Sequence, residues 1–105
     1  MSTIMLVDDS ATILLSISNI LTKAGYTVEK ANNAAEGLAK FKSGVKVNLL
    51  ITDLNMPGMN GIEFIAIISK RRPDIQSVLV TATSRERLEG YIQSHPVKYI
   101  RKPID

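Results

Sequence analysis

The sequence predicts an α/β domain built as a doubly wound, five-stranded parallel sheet, and three observations carry that expectation. Short β-rich apolar runs alternate with amphipathic stretches along all 105 residues. A repeated β-α pattern implies parallel strands joined by right-handed crossovers, with helices on both faces. The third run, within Val47–Thr52, is continuously apolar, as expected of a strand covered on both faces. The length suits one domain with a single hydrophobic core.

The elements follow in order. Thr3-Ile-Met-Leu-Val7 is the first strand, stopped by Asp8-Asp9-Ser10. Ser10 can cap the next helix through its side-chain oxygen. Ile13, Leu14, Ile17, Ile20, Leu21 and Ala24 then recur at helical spacing, and Gly25 ends the helix as its C′ residue. A second strand, Thr27 to Ala31, leads to Asn33 with Glu36 three residues on, a cap-like start. Ala34, Leu38 and Phe41 form that helix's inward stripe. After the third strand, Met56-Pro-Gly-Met-Asn-Gly61 is loop chemistry. An apolar helix runs from Ile62 to Lys70, a buried strand from Ser77 to Val80, and a helix from Arg85 to Ser94 with Leu88, Tyr91 and Ile92 inward. Lys98 to Arg101 is the last short strand.

Composition narrows the class. Apolar residues at 45% and charged residues at 22% are the balance of a globular chain, not a disordered one. Without cysteine there is neither a disulfide framework nor a thiolate zinc site, which is compatible with the cytoplasm. No apolar run approaches the roughly 20 residues that span a bilayer. Met1 to Val7 has no basic n-region, so no secretory signal is expected. Net charge is +3, with basic groups at Lys70-Arg71-Arg72 and from Lys98 to Lys102. Such clusters are usually solvated faces, and nucleic-acid binding is not expected.

In doubly wound folds, ligands sit beyond the carboxyl ends of the strands. Four strands deliver polar groups there: Asp8-Asp9 after the first, Asp53 after the third, Thr81 at the fourth, and Lys102-Pro103 after the last. Taken singly, each aspartate could be a turn former, Thr81 a satisfied strand-end hydroxyl, and Lys102 a surface lysine. Together, three carboxylates repel one another and call for positive charge. A hard cation such as Mg²⁺ prefers oxygen ligands, the lysine adds charge, and the threonine a donor. That set suits a phosphoryl group carried on one carboxylate acting as nucleophile.

These residues lie in four ordered motifs: Leu6-Val-Asp-Asp-Ser10, Leu50-Ile-Thr-Asp-Leu-Asn-Met-Pro-Gly-Met-Asn-Gly61, Val80-Thr-Ala82 and Tyr99-Ile-Arg-Lys-Pro103. From Ile4 to Pro103 the chain thereby resembles the receiver domains of two-component response regulators, in particular the CheY-like chemotaxis type. The resemblance implies a flavodoxin-like sheet of order 2-1-3-4-5 with four helices. It also implies a non-enzymatic switch, catalysing only its own phosphorylation and dephosphorylation. Asp53 would be the phosphoacceptor. Asp9 and Asp53 would ligate Mg²⁺ (or Mn²⁺) directly, Asp8 through water, with the backbone carbonyl of Asn55. Lys102 would contact the phosphoryl group, aimed by a cis peptide before Pro103. Thr81 would move to donate to a phosphoryl oxygen, and Tyr99 would turn inward behind it. The Asn55 and Thr83 side chains would tune the phosphoaspartate lifetime. The implied partners are a sensor histidine kinase or phosphotransfer protein, and an output protein on the face of the fourth helix and fifth strand.

Some features depart from that family. The sequence stops at Asp105, where such receivers continue into a fifth helix. We therefore expect a single domain over residues 1–105, truncated after the fifth strand, with apolar groups such as Leu15 left open or covered by a second copy. Asn60 stands where the family commonly has Asp, and His95-Pro96-Val97 replaces an Ala-Gly-rich approach to the last strand. His95 is expected to be an exposed loop residue. The competing class is a phosphate-independent binding module of the same fold, against which the complete set of Asp8, Asp9, Asp53, Thr81 and Lys102 speaks. A flavin carrier would want hydroxyl and amide donors where Asp8 and Asp9 stand. An aspartate-nucleophile phosphatase would want a second acid where Asn55 stands.

Overall fold

The computed structural model describes residues 2–94 and 98–101. Five strands form one sheet of order β2-β1-β3-β4-β5: β1 (Thr3–Val7), β2 (Thr27–Ala31), β3 (Leu49–Thr52), β4 (Gln76–Thr81) and β5 (Lys98–Arg101). All four strand pairs are parallel, as the β-α repeat requires. Four helices make the crossovers: α1 (Ala11–Lys23), α2 (Ala34–Lys42), α3 (Gly61–Arg71) and α4 (Arg85–Ser94). The third strand starts two residues later than expected. Val47 is buried ahead of it, and Asn48 pairs with Thr3 through both its backbone N–H and its side-chain oxygen.

Local chemistry sets the helix ends. Ser10 accepts from the Ile13 N–H and Asn33 from the Glu36 N–H. Asn60 and Glu63 form a full capping box at the start of α3. At the end of α1, Gly25 N–H donates to Thr22 and Tyr26 N–H to Leu21. That is a Schellman pair, made possible by the positive φ of Gly25 (99°).

Side chains alternate across the strands, and the two faces are covered unequally. Met5, Val7, Leu50 and Leu79 pack with Ala34, Phe64, Ile65 and Ile68 of α2 and α3, and with Leu88 of α4. On the opposite face Ile4, Leu6 and Val80 are buried, Ile51 and Val78 are half-buried, and Ile100 is 52% exposed. Leu15 is exposed as expected, at 58%, but it borders Lys30 and Ala31 of β2. Ile20, one of the apolar residues that recur at helical spacing in α1, is 51% exposed. It lies six residues from buried Leu14, about 120° around the helix, on the flank away from Leu15. Among the described residues the exposed large apolar side chains are thus Leu15, Ile20, Tyr26 and Ile100. Among the described residues, no helix is long and apolar enough to cross a membrane.

Candidate metal centre at the strand ends

β1 and β3 are neighbours with Val7 opposite Thr52, so the residues that follow, Asp8 and Asp53, emerge side by side. The backbone fixes them: Asp53 N–H donates to the Val7 carbonyl at 2.9 Å and Asp8 N–H to that of Ala31 at 3.1 Å. One carboxylate oxygen each from Asp8, Asp9 and Asp53 lie within 4.8 Å of one another. Asp8 and Asp53 are 2% and 7% exposed, whereas Asp9 faces solvent. Ser10 N–H donates to Asp8 Oδ1 at 2.9 Å, which orients that carboxylate. Three acids at this spacing, two of them buried, suit a hard divalent cation with oxygen ligands.

The loop after Asp53 is held from below. Leu54 and Met56 are buried, Thr52 Oγ1 donates to the Asp53 carbonyl at 3.0 Å, and Gly61 N–H donates to the Leu54 carbonyl at 2.8 Å. A Cβ on Gly61 would stand 2.1 Å from the Asp53 carbonyl oxygen. Only glycine lets α3 begin this close to the acid. Neither Thr52 nor Gly61 carries a sequence signal for this role, because contact across the loop is invisible in local spacing. Asp9, Leu54, Asn55, Met56, Pro57 and Asn60 line a hollow beside the acids.

Thr81 ends β4 fully buried. Its Oγ1 lies 2.9 Å from Thr83 Oγ1 and accepts the Thr83 N–H at 3.1 Å. Asn55 Nδ2 donates to the same Thr83 Oγ1 at 2.8 Å. Tyr99 pairs with Leu79, so it shares the sheet face of Thr81, half-buried against the core. Asp8, Asp9, Asp53, Asn55, Thr81 and Thr83 therefore converge on one edge of the sheet, with Tyr99 behind. Lys102, Pro103 and His95 lie outside the described residues. The basic run resolves into a helix end: Lys70 and Arg71 are exposed in the last turn of α3, and Arg72 pairs with Asp74 at 2.7 Å. That pair holds the Asp74 carboxyl down at about 2, chiefly through the Arg72 hydrogen bond.

The fold is shared with known proteins. The chain is 34% identical over 86 residues to the chemotaxis protein CheY of Thermotoga maritima, covering 81% of this chain and 71% of that one. It spans only 29% of the protein-glutamate methylesterase/protein-glutamine glutaminase of Archaeoglobus fulgidus, at 33% identity. Among solved structures, a CheY-like response regulator receiver domain protein from Methanospirillum hungatei superposes with a TM-score of 0.89 at 34% identity, covering 100% of this chain and 84% of that one. The response regulator protein TrrA of Thermotoga maritima, solved in complex with Mg(2+)-BeF, gives 0.86 at 33%, covering 100% and 90%. TrrA has also been solved in complex with the histidine kinase ThkA. The family described as the response regulator receiver domain matches residues 4–105, and the chain belongs to that family, in its CheY-like form.

Proposed function

We propose that this receiver domain is a phosphoacceptor switch in which Asp53 takes a phosphoryl group in a Mg²⁺-dependent reaction. The observation that carries the proposal is the convergence of Asp8, Asp9 and Asp53 within 4.8 Å, with Asp53 buried but beside an open hollow. The donor set fits a hard cation: Asp8, Asp9, Asp53 and the Asn55 carbonyl would hold Mg²⁺ (or Mn²⁺). When bound, it would neutralise charge on the phosphoryl oxygens. An oxygen of Asp53 attacks phosphorus in line, and a P–O bond forms as the P–N bond to a donor phosphohistidine breaks. The electron pair leaves on the imidazole nitrogen, which is protonated from solvent. Lys102 would neutralise the equatorial oxygens, so positioning and electrostatics supply the acceleration.

The Thr81 hydroxyl then donates to the new phosphoryl group and Tyr99 follows, favouring one of two conformations. A coupling of roughly 1–3 kcal/mol shifts populations about 5- to 150-fold, enough for a switch. TrrA's complex with a histidine kinase supports a sensor kinase or phosphotransfer protein as donor. The output partner is expected on the α4–β5 face, and the site of action in the cytoplasm. Sedimentation reads whether a second copy covers the flank of Ile20 and Ile100. The direct test is incubation with acetyl phosphate or phosphoramidate, with and without Mg²⁺, followed by intact mass. One phosphoryl group gained only with Mg²⁺, and lost in Asp53→Ala, is expected. No gain in folded protein would instead indicate a phosphate-independent binding module.

A further inference from the structure

Asn55, Thr83 and Thr81 form a continuous chain of side-chain hydrogen bonds across the mouth of the site. Thr83 Oγ1 lies 2.8 Å from Asn55 Nδ2 and 2.9 Å from Thr81 Oγ1. Asn55 Nδ2 can only donate. With Thr81 as the second donor, both lone pairs of the Thr83 oxygen are occupied. The Thr81 hydroxyl has one proton. It also accepts the Thr83 N–H at 3.1 Å, which closes a small ring between the two threonines and holds the hydroxyl facing Thr83. While its proton is donated there, it cannot be donated to an oxygen carried by Asp53.

We propose that Thr83 is a positioning residue, a latch that holds Thr81 in the resting orientation and opposes the active one. The latch rests on the phosphoacceptor reading of Asp53. Asn55 belongs to it, because its amide anchors the Thr83 hydroxyl to the loop that follows β3. Receipt of the phosphoryl group must draw the Thr81 proton away from Thr83. The resting preference therefore includes the net worth of that hydrogen bond. Removing the acceptor also leaves a buried hydroxyl proton unpartnered in the resting state, since Thr81 is fully buried, which favours the active state further.

Beryllofluoride with Mg²⁺ serves as the phosphoryl probe, and its affinity is measured by calorimetry beside that for Mg²⁺ alone. Thr83→Val keeps the branched shape and deletes the acceptor. We expect it to bind beryllofluoride about 2- to 13-fold more tightly, the equivalent of one net hydrogen bond, with Mg²⁺ affinity unchanged. Thr83→Ser, which restores the hydroxyl, returns the affinity to that of the parent. In a Thr81→Val background, Thr83→Val has no effect, because the group it acts through is gone. Equal or weaker beryllofluoride binding by Thr83→Val, or the same gain without the Thr81 hydroxyl, overturns the latch while leaving the phosphoacceptor intact. A parent protein that binds Mg²⁺ but takes no beryllofluoride overturns the phosphoacceptor reading, and the latch with it.

Discussion

Substitution of Gly61 by alanine tests how closely the metal centre depends on packing that only glycine allows. The added Cβ would lie 2.1 Å from the Asp53 carbonyl oxygen and 2.9 Å from both the Asp53 carbonyl carbon and Leu79 Cδ2. Ordinary carbon contacts are about 3.5–4.0 Å, so the start of α3 and the Asp53 backbone must separate by roughly 1.5 Å. The Leu79 side chain can turn aside, but the Asp53 carbonyl is backbone and is tied by Thr52 Oγ1 at 3.0 Å. Overpacking of this kind costs about 1–3 kcal/mol, and alanine's helix preference returns at most ~1 kcal/mol at the helix start. We expect Gly61→Ala to lose about 1–3 kcal/mol in urea unfolding. Mg²⁺ demands near-ideal geometry, so its affinity should also fall about tenfold or more. Gly90→Ala is the control, because nothing lies within 4 Å of a Cβ there and α4 should gain about 0.5–1 kcal/mol. A Gly61→Ala protein as stable as the parent, with unaltered Mg²⁺ binding, would refute the reasoning.

Three further outcomes can be checked. Mg²⁺ at a hundred times its Kd should raise the unfolding free energy by about 2.7 kcal/mol, and Asp9→Asn should remove most of that gain in a thermal melt. Leu88 is fully buried in α4, so Leu88→Ala should cost about 2–5 kcal/mol by urea unfolding; a loss below ~1 kcal/mol would mean that α4 is not docked through it. The Asp74 carboxyl, held at about 2 against an ordinary 3.8, should titrate there by carboxyl-carbon NMR and move back up in Arg72→Gln. Because the folded value is depressed, the pair's contribution is present above about pH 4 and disappears as pH falls through 2. It stays small, since both groups are exposed and screened.

The elements were legible where local chemistry decides them. The Thr3–Val7 and Thr27–Ala31 strands, the Ser10 and Asn33 caps and the Gly25 stop coincide with the structure, because each depends on side chains within a turn of the backbone they serve. Asp8, Asp9 and Asp53 were legible as a site because parallel β-α topology sends every strand's carboxyl end to one edge. The distances among them, and the burial of two of the three, come only from the β1–β3 register. Helical spacing groups exposed Ile20 with buried Leu14, since periodicity counts apolar residues without knowing how wide a face the sheet can cover. Asn55 and Thr83 were legible only through the family resemblance, and their bond to each other spans 28 residues of sequence. Gly61 looked like an ordinary loop end until the chain brought the Asp53 carbonyl against it. Capping, turn and strand preferences act over a few residues and can be read directly from sequence. Contacts between distant segments depend on register and packing, which exist only once the sheet has assembled.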